Sequence, residues 1–400
     1  MEIWKRNLYA VWATELIALM GFSVAFPFLP YYIQELGVTD LKQVELWSGV
    51  IIAAQAVTMT VFSPIWGSLA DRYGRKVMIE RATFSGAVIL TLMGFAQNVG
   101  QLVALRAAQG ALTGTVTAAM TLVASSTPRE RSGYALGLVQ MAIWVGSSAG
   151  PLIGGVVADT WGYRAVFWVT GGLLLLSGLI VWRFVKEDFQ PPPRGRKTPG
   201  DGFWDGLKVV LATRALVTLF TIRITVRLGT SMIVPVLPLF LQGLVPSTTR
   251  VASLNGLISG VSAATSAVSA VILGRLSDRS GYRPVLLACA AGGVVFYALQ
   301  VFVTGPWQLL ILQGAAGFVI GGVVAAVSTS LANLAPEGCQ GAVYGVDASA
   351  TSAASALAPL IGASVAAGLG LRAPFLLAAG AFGLATGLTW ALVPKSGQNE

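Results

Sequence analysis

The sequence predicts an all-α polytopic membrane protein with 12 transmembrane helices, arranged as two pseudo-symmetric six-helix bundles. Three observations predict it. Only 11% of the 400 residues are charged and 55% are apolar, whereas a soluble domain carries about 25% charged residues. Apolar runs of roughly the 20 residues that cross a bilayer recur along the whole chain, parted by short breaks of Gly, Pro, Arg and Asp. The phrase GSLADRYGRK at Gly67 returns as GRLSDRSGYR at Gly274, 207 residues later.

The first span, 8–33, follows Lys5 and Arg6 as a signal peptide would. It is too long for one and runs without a small-residue cleavage site into PFLPYYI, so it reads as an uncleaved helix. Spans two to six follow at 46–70, 77–97, 101–124, 132–157 and 163–184. The stretch KEDFQPPPRGRKTPGDGFWDG is a linker by its Pro, Gly and charge. Spans seven to twelve fall at 212–243, 250–273, 284–303, 307–330, 340–366 and 372–393. The domains expected are therefore an N-terminal bundle 1–187, a cytoplasmic linker 188–211 and a C-terminal bundle 212–400.

With Met1 inside, the inner segments and span ends hold 19 of the 26 Lys and Arg, and the outer segments hold four. Positive charge gathers on the cytoplasmic side of membrane proteins, so both termini are expected there, in a multi-pass inner-membrane protein. The net charge of +9 thus follows topology and does not point to nucleic acid. With no His, and with Cys289 in a span and Cys339 at a loop, no metal, haem or disulfide is expected, and no cofactor.

The halves align in order at a nearly constant offset. PFLPYYIQEL at Pro27 matches PVLPLFLQGL at Pro235, 208 later; LRAAQGALTG at Leu105 matches LQGAAGFVIG at Leu312, 207 later; AGPLIGG at Ala149 matches LAPLIGA at Leu357, 208 later. Together with the charged phrase these make four blocks of one internal duplication. Parallel repeats with a site near the midplane are a recurring transporter plan.

The charged phrase joins spans two and three. Gly67 and Gly74 let the backbones approach and turn. Asp71 suits a nearby helix N-terminus, where the macrodipole favours an anion, and Arg72, Arg75 and Lys76 can meet lipid phosphate or acids elsewhere. An anchor for the positive side would need only the cations, yet Asp71 recurs as Asp278. In span five, Gly146, Gly150, Gly154 and Gly155 are spaced about four apart, which puts small residues on one face for close helix packing, and Pro151 permits a bend. That pattern serves either ordinary packing or a seam that seals a pore.

These motifs carry a resemblance over nearly the whole chain. GSLADRYGRK, LRAAQGALTG and VGSSAGPLIGG resemble the signatures of the major facilitator superfamily, within its twelve-span drug:proton antiporter branch, and the chain is similar to bacterial multidrug-resistance proteins of the MdtG type. The resemblance implies the major facilitator fold, antiport by alternating access, and a charged loop acting as a cytoplasmic latch. It also implies that Arg106 matches an arginine tied there to proton coupling. The chain departs from the MdtG pattern in its two membrane acids and its arginine pair, which implies coupling and substrate charge of its own.

Ionisable groups inside a membrane cost about 2.5–3.5 kcal/mol on insertion scales and mark pathways. Glu15 lies in span one and Arg106 in span four. Arg223 and Arg227 are four apart in span seven, on one helix face. Asp347 opens a polar stripe with Thr351 and Ser355 in span eleven. The 208 offset pairs Glu15 with Arg223, an acid and a base at pseudo-equivalent positions. A proton carrier must titrate, His is the usual choice and is absent here, so the carboxylates remain. Glu15 is the first candidate and Asp347 the second. Glu15 could instead be a structural ion pair with Arg223 or Arg106, and Asp347 could serve only to order span eleven.

Phe22, Phe26, Met141 and Trp144 offer adaptable apolar surface for ligands. Gln55, Gln109, Gln140, Asn255 and Gln313 offer polar contacts. The expected activity is proton-coupled efflux of amphipathic drugs by a monomer, with small molecules, protons and the bilayer as its partners. The alternative is an exporter or flippase of an anionic lipid or metabolite held by Arg223 and Arg227, since arginine pairs suit such groups. No nucleophile–base pair or nucleotide loop suggests an enzyme.

Overall fold

The computed structural model describes residues 2–128, 131–187, 203–246, 250–334 and 340–392. Span one is α1 (Ile3–Ala25), a tight turn at Phe26–Phe28 and α2 (Leu29–Glu35). The division falls at Pro27 and Pro30, which lack the N–H needed to continue the ladder. Spans two and three are α3 (Leu41–Tyr73) and α4 (Arg75–Met93). They are joined by Gly74 alone, at φ +95°, a backbone that side chains disfavour. Span four is divided into α5 (Val99–Leu112) and α6 (Val116–Ser126); α7 (Ser132–Trp161) and α8 (Tyr163–Phe184) complete the first six.

The stretch expected as linker, 188–211, is corrected over its end: α9 (Phe203–Ala212) is helical there, and residues 188–202 lie outside the described residues. Its sequence FWDGLKVVLA is apolar on one side, and Val210 is buried. Next come α10 (Arg214–Ile233), α11 (Leu237–Leu244), α12 (Val251–Ser280), α13 (Tyr282–Gln300), α14 (Pro306–Leu334), α15 (Gln340–Leu369) and α16 (Ala373–Leu392). Helix α9 packs on α15 and α10, so this segment is an element of the second bundle.

Among the described residues, eleven segments are long and apolar enough to cross a membrane. The twelfth is α4, whose first two turns carry Arg75, Lys76, Glu80 and Arg81. It is nonetheless packed against α8 and α5. Exposed tryptophans (Trp161, Trp182, Trp307 and Trp390) sit at helix ends, where amphipathic indoles meet membrane interfaces.

The chain divides into two compact units, Met1–Arg194 with Pro246–Gly260, and Gly195–Val245 with Val261–Glu400. The first ten residues of α12 therefore group with the first six spans. At one end of the first unit Leu8, Val11, Ile79, Leu122, Val123, Val139 and Val181 form a core drawn from α1, α4, α6, α7 and α8.

The duplication is visible in side chains as well as in sequence. Tyr32 stacks on Phe167 at 4.9 Å in the first unit and Phe240 on Phe375 at 5.0 Å in the second; each partner is 208 residues from its counterpart. Gly154 abuts the Val24 carbonyl and Gly362 the Met232 carbonyl, again 208 apart. Positive φ recurs at Gly74 and Gly281, and at Gly162 and Gly370. Close helix approach and these sharp turns are thus built twice from one plan.

Candidate functional site

In the first unit, Glu15 is fully buried on α1. Thr115 Oγ1 donates to its Oε2 at 3.3 Å. Among the described residues its Oε1 has no hydrogen-bond partner and it forms no ion pair. The structural pairing of Glu15 with Arg106 is therefore not what is built. Arg106, also buried, donates from Nη1 to Gln109 Oε1 at 2.6 Å and lies 5.0 Å from the centre of the Phe26 ring. Among the described residues its Nε and Nη2 have no hydrogen-bond partner. Three of the expected residues, Arg106, Gln109 and Glu15, thus lie buried inside the first unit, with Phe26 half-buried beside Arg106.

Gln55 and Phe22 are half-buried. The Gln55 carbonyl sits so close to Gly110 that a Cβ there would collide with it, which binds α3 tightly to α5. Trp144 is half-buried on α7, while Gln140 and Met141 are exposed one turn earlier.

The span-five glycines divide between two surfaces, which corrects the expectation of one face. Gly146, Gly150 and Gly154 meet the carbonyls of Leu16, Met20 and Val24 on α1, a ladder of four-residue steps on both helices. Gly155 faces Ala252 and Ser253 at the start of α12, and Gly256 faces the Pro151 carbonyl. Beside them Asp159 accepts from the backbone N–H of Ala252 at 3.3 Å and Ser253 at 2.7 Å, capping the freed donors of the first turn of α12. Asn255 is fully buried and donates to the Pro27 carbonyl at 2.9 Å. Placed as a cavity residue from sequence, it ties α12 to the break in span one.

In the charged loop, Gly67 is exposed with open space around it, and Arg72 lies 5.5 Å from the Tyr73 ring. The side chains of Asp71 and Asp278 lie outside the described residues. Among the described residues, the anion at the N-terminus of α4 is Glu187, which accepts from the backbone of Arg75 at 3.1 Å and Lys76 at 2.7 Å. Lys76 Nζ donates to the Trp182 carbonyl at 3.3 Å and lies 3.6 Å from Glu80. Next to Glu187, Lys186 and Asn7 exchange two hydrogen bonds, of 2.7 and 3.0 Å. The end of span six thereby fixes both span one and the loop.

In the second unit, Arg223 Nε lies 2.9 Å from Asp347 Oδ1, and Arg223 Nη1 donates to Ser328 Oγ at 3.2 Å. One turn on, Arg227 Nε donates to Ser355 Oγ at 2.7 Å. Thr351 returns its hydroxyl to the Asp347 carbonyl. The arginine face of α10 thus lies along the polar stripe of α15, in register, as the four-residue spacings require. Asp347 is buried and its partner partly so, whereas Arg227 is exposed. Gln313 donates to Gln300 at 3.1 Å between α14 and α13, so it is satisfied inside the bundle.

Sequence reasoning missed Thr115, Asp159, Glu187 and Glu45. Glu45 is a buried acid in the second turn of α3 whose Oε2 has no hydrogen-bond partner among the described residues. The acids could have been found by their type within apolar runs or beside turns. Thr115 carried no such signal. No group of His, Cys, Asp and Glu among the described residues could hold a metal ion.

Comparison with known proteins decides the family. The model of the Major Facilitator Superfamily matches residues 11–245 and 219–400. The chain belongs to the Major Facilitator Superfamily. Among superfamily relatives, the multidrug resistance protein MdtG of Enterobacter lignolyticus is 36% identical over 376 residues, covering 94% of this chain and 89% of the relative. MdtG of Dickeya zeae is 33% identical, covering 99% and 97%. Two solved structures share the superfamily architecture. A bacterial homologue of the human lysosomal transporter Spinster, inward-facing and unoccupied, gives a TM-score of 0.75 at 17% identity, covering 98% of this chain and 97% of that one. The nucleoside transporter NupG gives 0.77 at 12% identity, covering 96% and 100%. At these identities the likeness is one of fold.

Proposed function

We propose that this chain is an inner-membrane exporter that expels amphipathic small molecules, drugs among them, in exchange for protons. The observation that carries this reading is Glu15: a fully buried acid in span one with a single hydroxyl partner and no ion pair among the described residues. An isolated ionised carboxylate is costly in such surroundings, which suits Glu15 to carry a proton and to give it up when the surroundings change. The names of the MdtG relatives support drugs as cargo.

In this reading the protein is a transporter and no enzyme, works as a monomer, and keeps both termini in the cytoplasm. Gly67, Asp71, Arg72, Gly74, Arg75, Lys76 and Asp278 latch the inner side, and the glycines of span five form a seam that seals the pore on one side. Arg106, poised beside Gln109, and Asp347 tune proton coupling.

The test is efflux from proteoliposomes under an imposed proton gradient. Glu15→Gln is expected to abolish gradient-driven efflux while substrate binding survives. Unchanged gradient-driven efflux in that variant would refute the reading.

A second reading, export of an anionic lipid or metabolite, draws on one observation. Asp347 neutralises Arg223, while Arg227 is exposed and, among the described residues, its side chain bonds through Nε to Ser355. A susceptibility panel separates the two, because broad drug resistance is expected from the first alone.

A further inference from the structure

Span four is interrupted, and its counterpart is not. Between α5 and α6 the residues Thr113, Gly114 and Thr115 leave the helix, with Gly114 at φ +125°. In the second unit Gly321 and Gly322, 207 residues on, lie inside the continuous α14, where Gly321 packs against the Ser266 carbonyl. The interruption is provided for by other side chains. The Trp66 indole N–H donates to the freed Ala111 carbonyl at 2.6 Å, and the Ser85 hydroxyl donates to that of Leu112 at 3.2 Å.

The break changes what one hydroxyl does. Threonines within helices usually return the hydroxyl to the carbonyl four residues back. Here Thr58, Thr83, Thr91, Thr113, Thr121 and Thr170 all do so. Thr115 stands just before α6, where no helical turn precedes it. Its carbonyl starts the α6 ladder by accepting from Ala119 at 2.9 Å, and its side chain makes no cap bond. The hydroxyl is spent on Glu15, and both side chains are buried.

We propose that the interruption of span four exists to deliver Thr115 to Glu15, and that Thr115 is the positioning residue that decides when Glu15 releases its proton. This rests on Glu15 being the carrier. A hydroxyl donated to a carboxylate favours the ionised form. A movement of α6 against α5 about Gly114 gives or withdraws that donor, and so couples a backbone hinge to the proton.

The test uses the full chain in proteoliposomes and infrared difference spectra against pH. The acid C=O band of Glu15 is assigned by its loss in Glu15→Gln. A hydrogen bond to a charged group is strong enough that Thr115→Val is expected to move the midpoint of that band alkaline by about one to two pH units. Thr115→Ser keeps the parent midpoint. Gly114→Ala, forced into a backbone region that a Cβ disfavours, moves it alkaline with the hydroxyl still present.

Equal midpoints in the parent and Thr115→Val overturn the proposal, as do equal shifts in Val and Ser, or a band lost in Glu15→Gln that never titrates. Should Thr115→Val fail to fold, Thr115→Ala against Thr115→Ser makes the same comparison. The carrier reading fails separately: efflux that stays gradient-driven in Glu15→Gln sinks it, while the band midpoint still reports whether Thr115 governs Glu15.

Discussion

Removing Arg223 should destabilise the second unit far more than removing both members of its ion pair. Arg223 Nε and Asp347 Oδ1 are 2.9 Å apart, with side-chain exposures of 20% and 9%. At an effective dielectric of about 20 their attraction is roughly 6 kcal/mol. Desolvating both groups takes back much of that, so the pair adds little net stability, whereas a lone buried charge costs about 3–5 kcal/mol. In a bundle of about 200 residues each kcal/mol moves Tm by about 2–4 °C. Arg223→Met is therefore expected to lower the Tm of the detergent-purified protein by on the order of 10 °C. Adding Asp347→Asn should recover most of the loss. Recovery is the deciding quantity: if the double variant melts at the sum of the two single losses, no coupling exists and the pairing argument is wrong.

The remaining predictions concern packing, capping and cargo charge. A Cβ at Gly110 would strike the Gln55 carbonyl, whereas one at Gly133 meets nothing within 4 Å. Gly110→Ala should therefore lose about 1–3 kcal/mol and melt visibly lower, with Gly133→Ala unchanged in the same assay. Glu187→Ala strips the anion from the first turn of α4 and should cost about 1–2 kcal/mol, read as faster amide exchange at Lys76 and its neighbours. Arg227→Gln should raise the KM of carboxylate-bearing substrates about tenfold, the worth of one charge-assisted bond, and leave neutral substrates alone. An equal effect on both classes would remove Arg227 from cargo recognition.

Apolar length, Gly–Pro punctuation and the 207–208 repeat made the spans and the duplication legible, because each is a local or periodic property. Span three was found despite its polar start, and its four charged residues explain why composition alone undercounts it. Helix α9 was hidden by the Pro-rich run before it, which carried the linker reading past a ten-residue apolar helix. Within the site, the arginine face of α10 and the polar stripe of α15 were each visible as four-residue spacings. Their meeting was not, since nothing in a spacing names the partner helix. Asn255 and Gln313 illustrate the converse: a buried amide must find a partner, and both found one inside their own unit, at Pro27 and Gln300. Thr115 was illegible for a further reason. Its role depends on a break in the helix, and GALTGT reads equally well as a close-packing stretch.

The two copies agree in scaffold and differ in chemistry, and that contrast locates function more sharply than either half alone. Turn glycines, aromatic pairs and the Gly154 and Gly362 contacts recur at a nearly constant offset, as shared packing demands. Glu15, by contrast, faces the register of Arg223, Arg106 that of Gln313, and Asp347 that of Val139 in the core of the first unit. Thr115 answers to Gly322, and the interruption before it to an unbroken helix. A duplicated bundle with identical interiors would place like charges in like positions, each needing its own counter-ion. Divergence instead leaves the first unit with an acid held by a hydroxyl and the second with an arginine already neutralised. Of the two acids, Glu15 is then the one whose carboxyl has the weaker partner, and Asp347 the one whose protonation must first break an ion pair. Glu15 should therefore release and regain protons with the smaller rearrangement, through the short segment Thr113–Thr115 that only its own copy possesses.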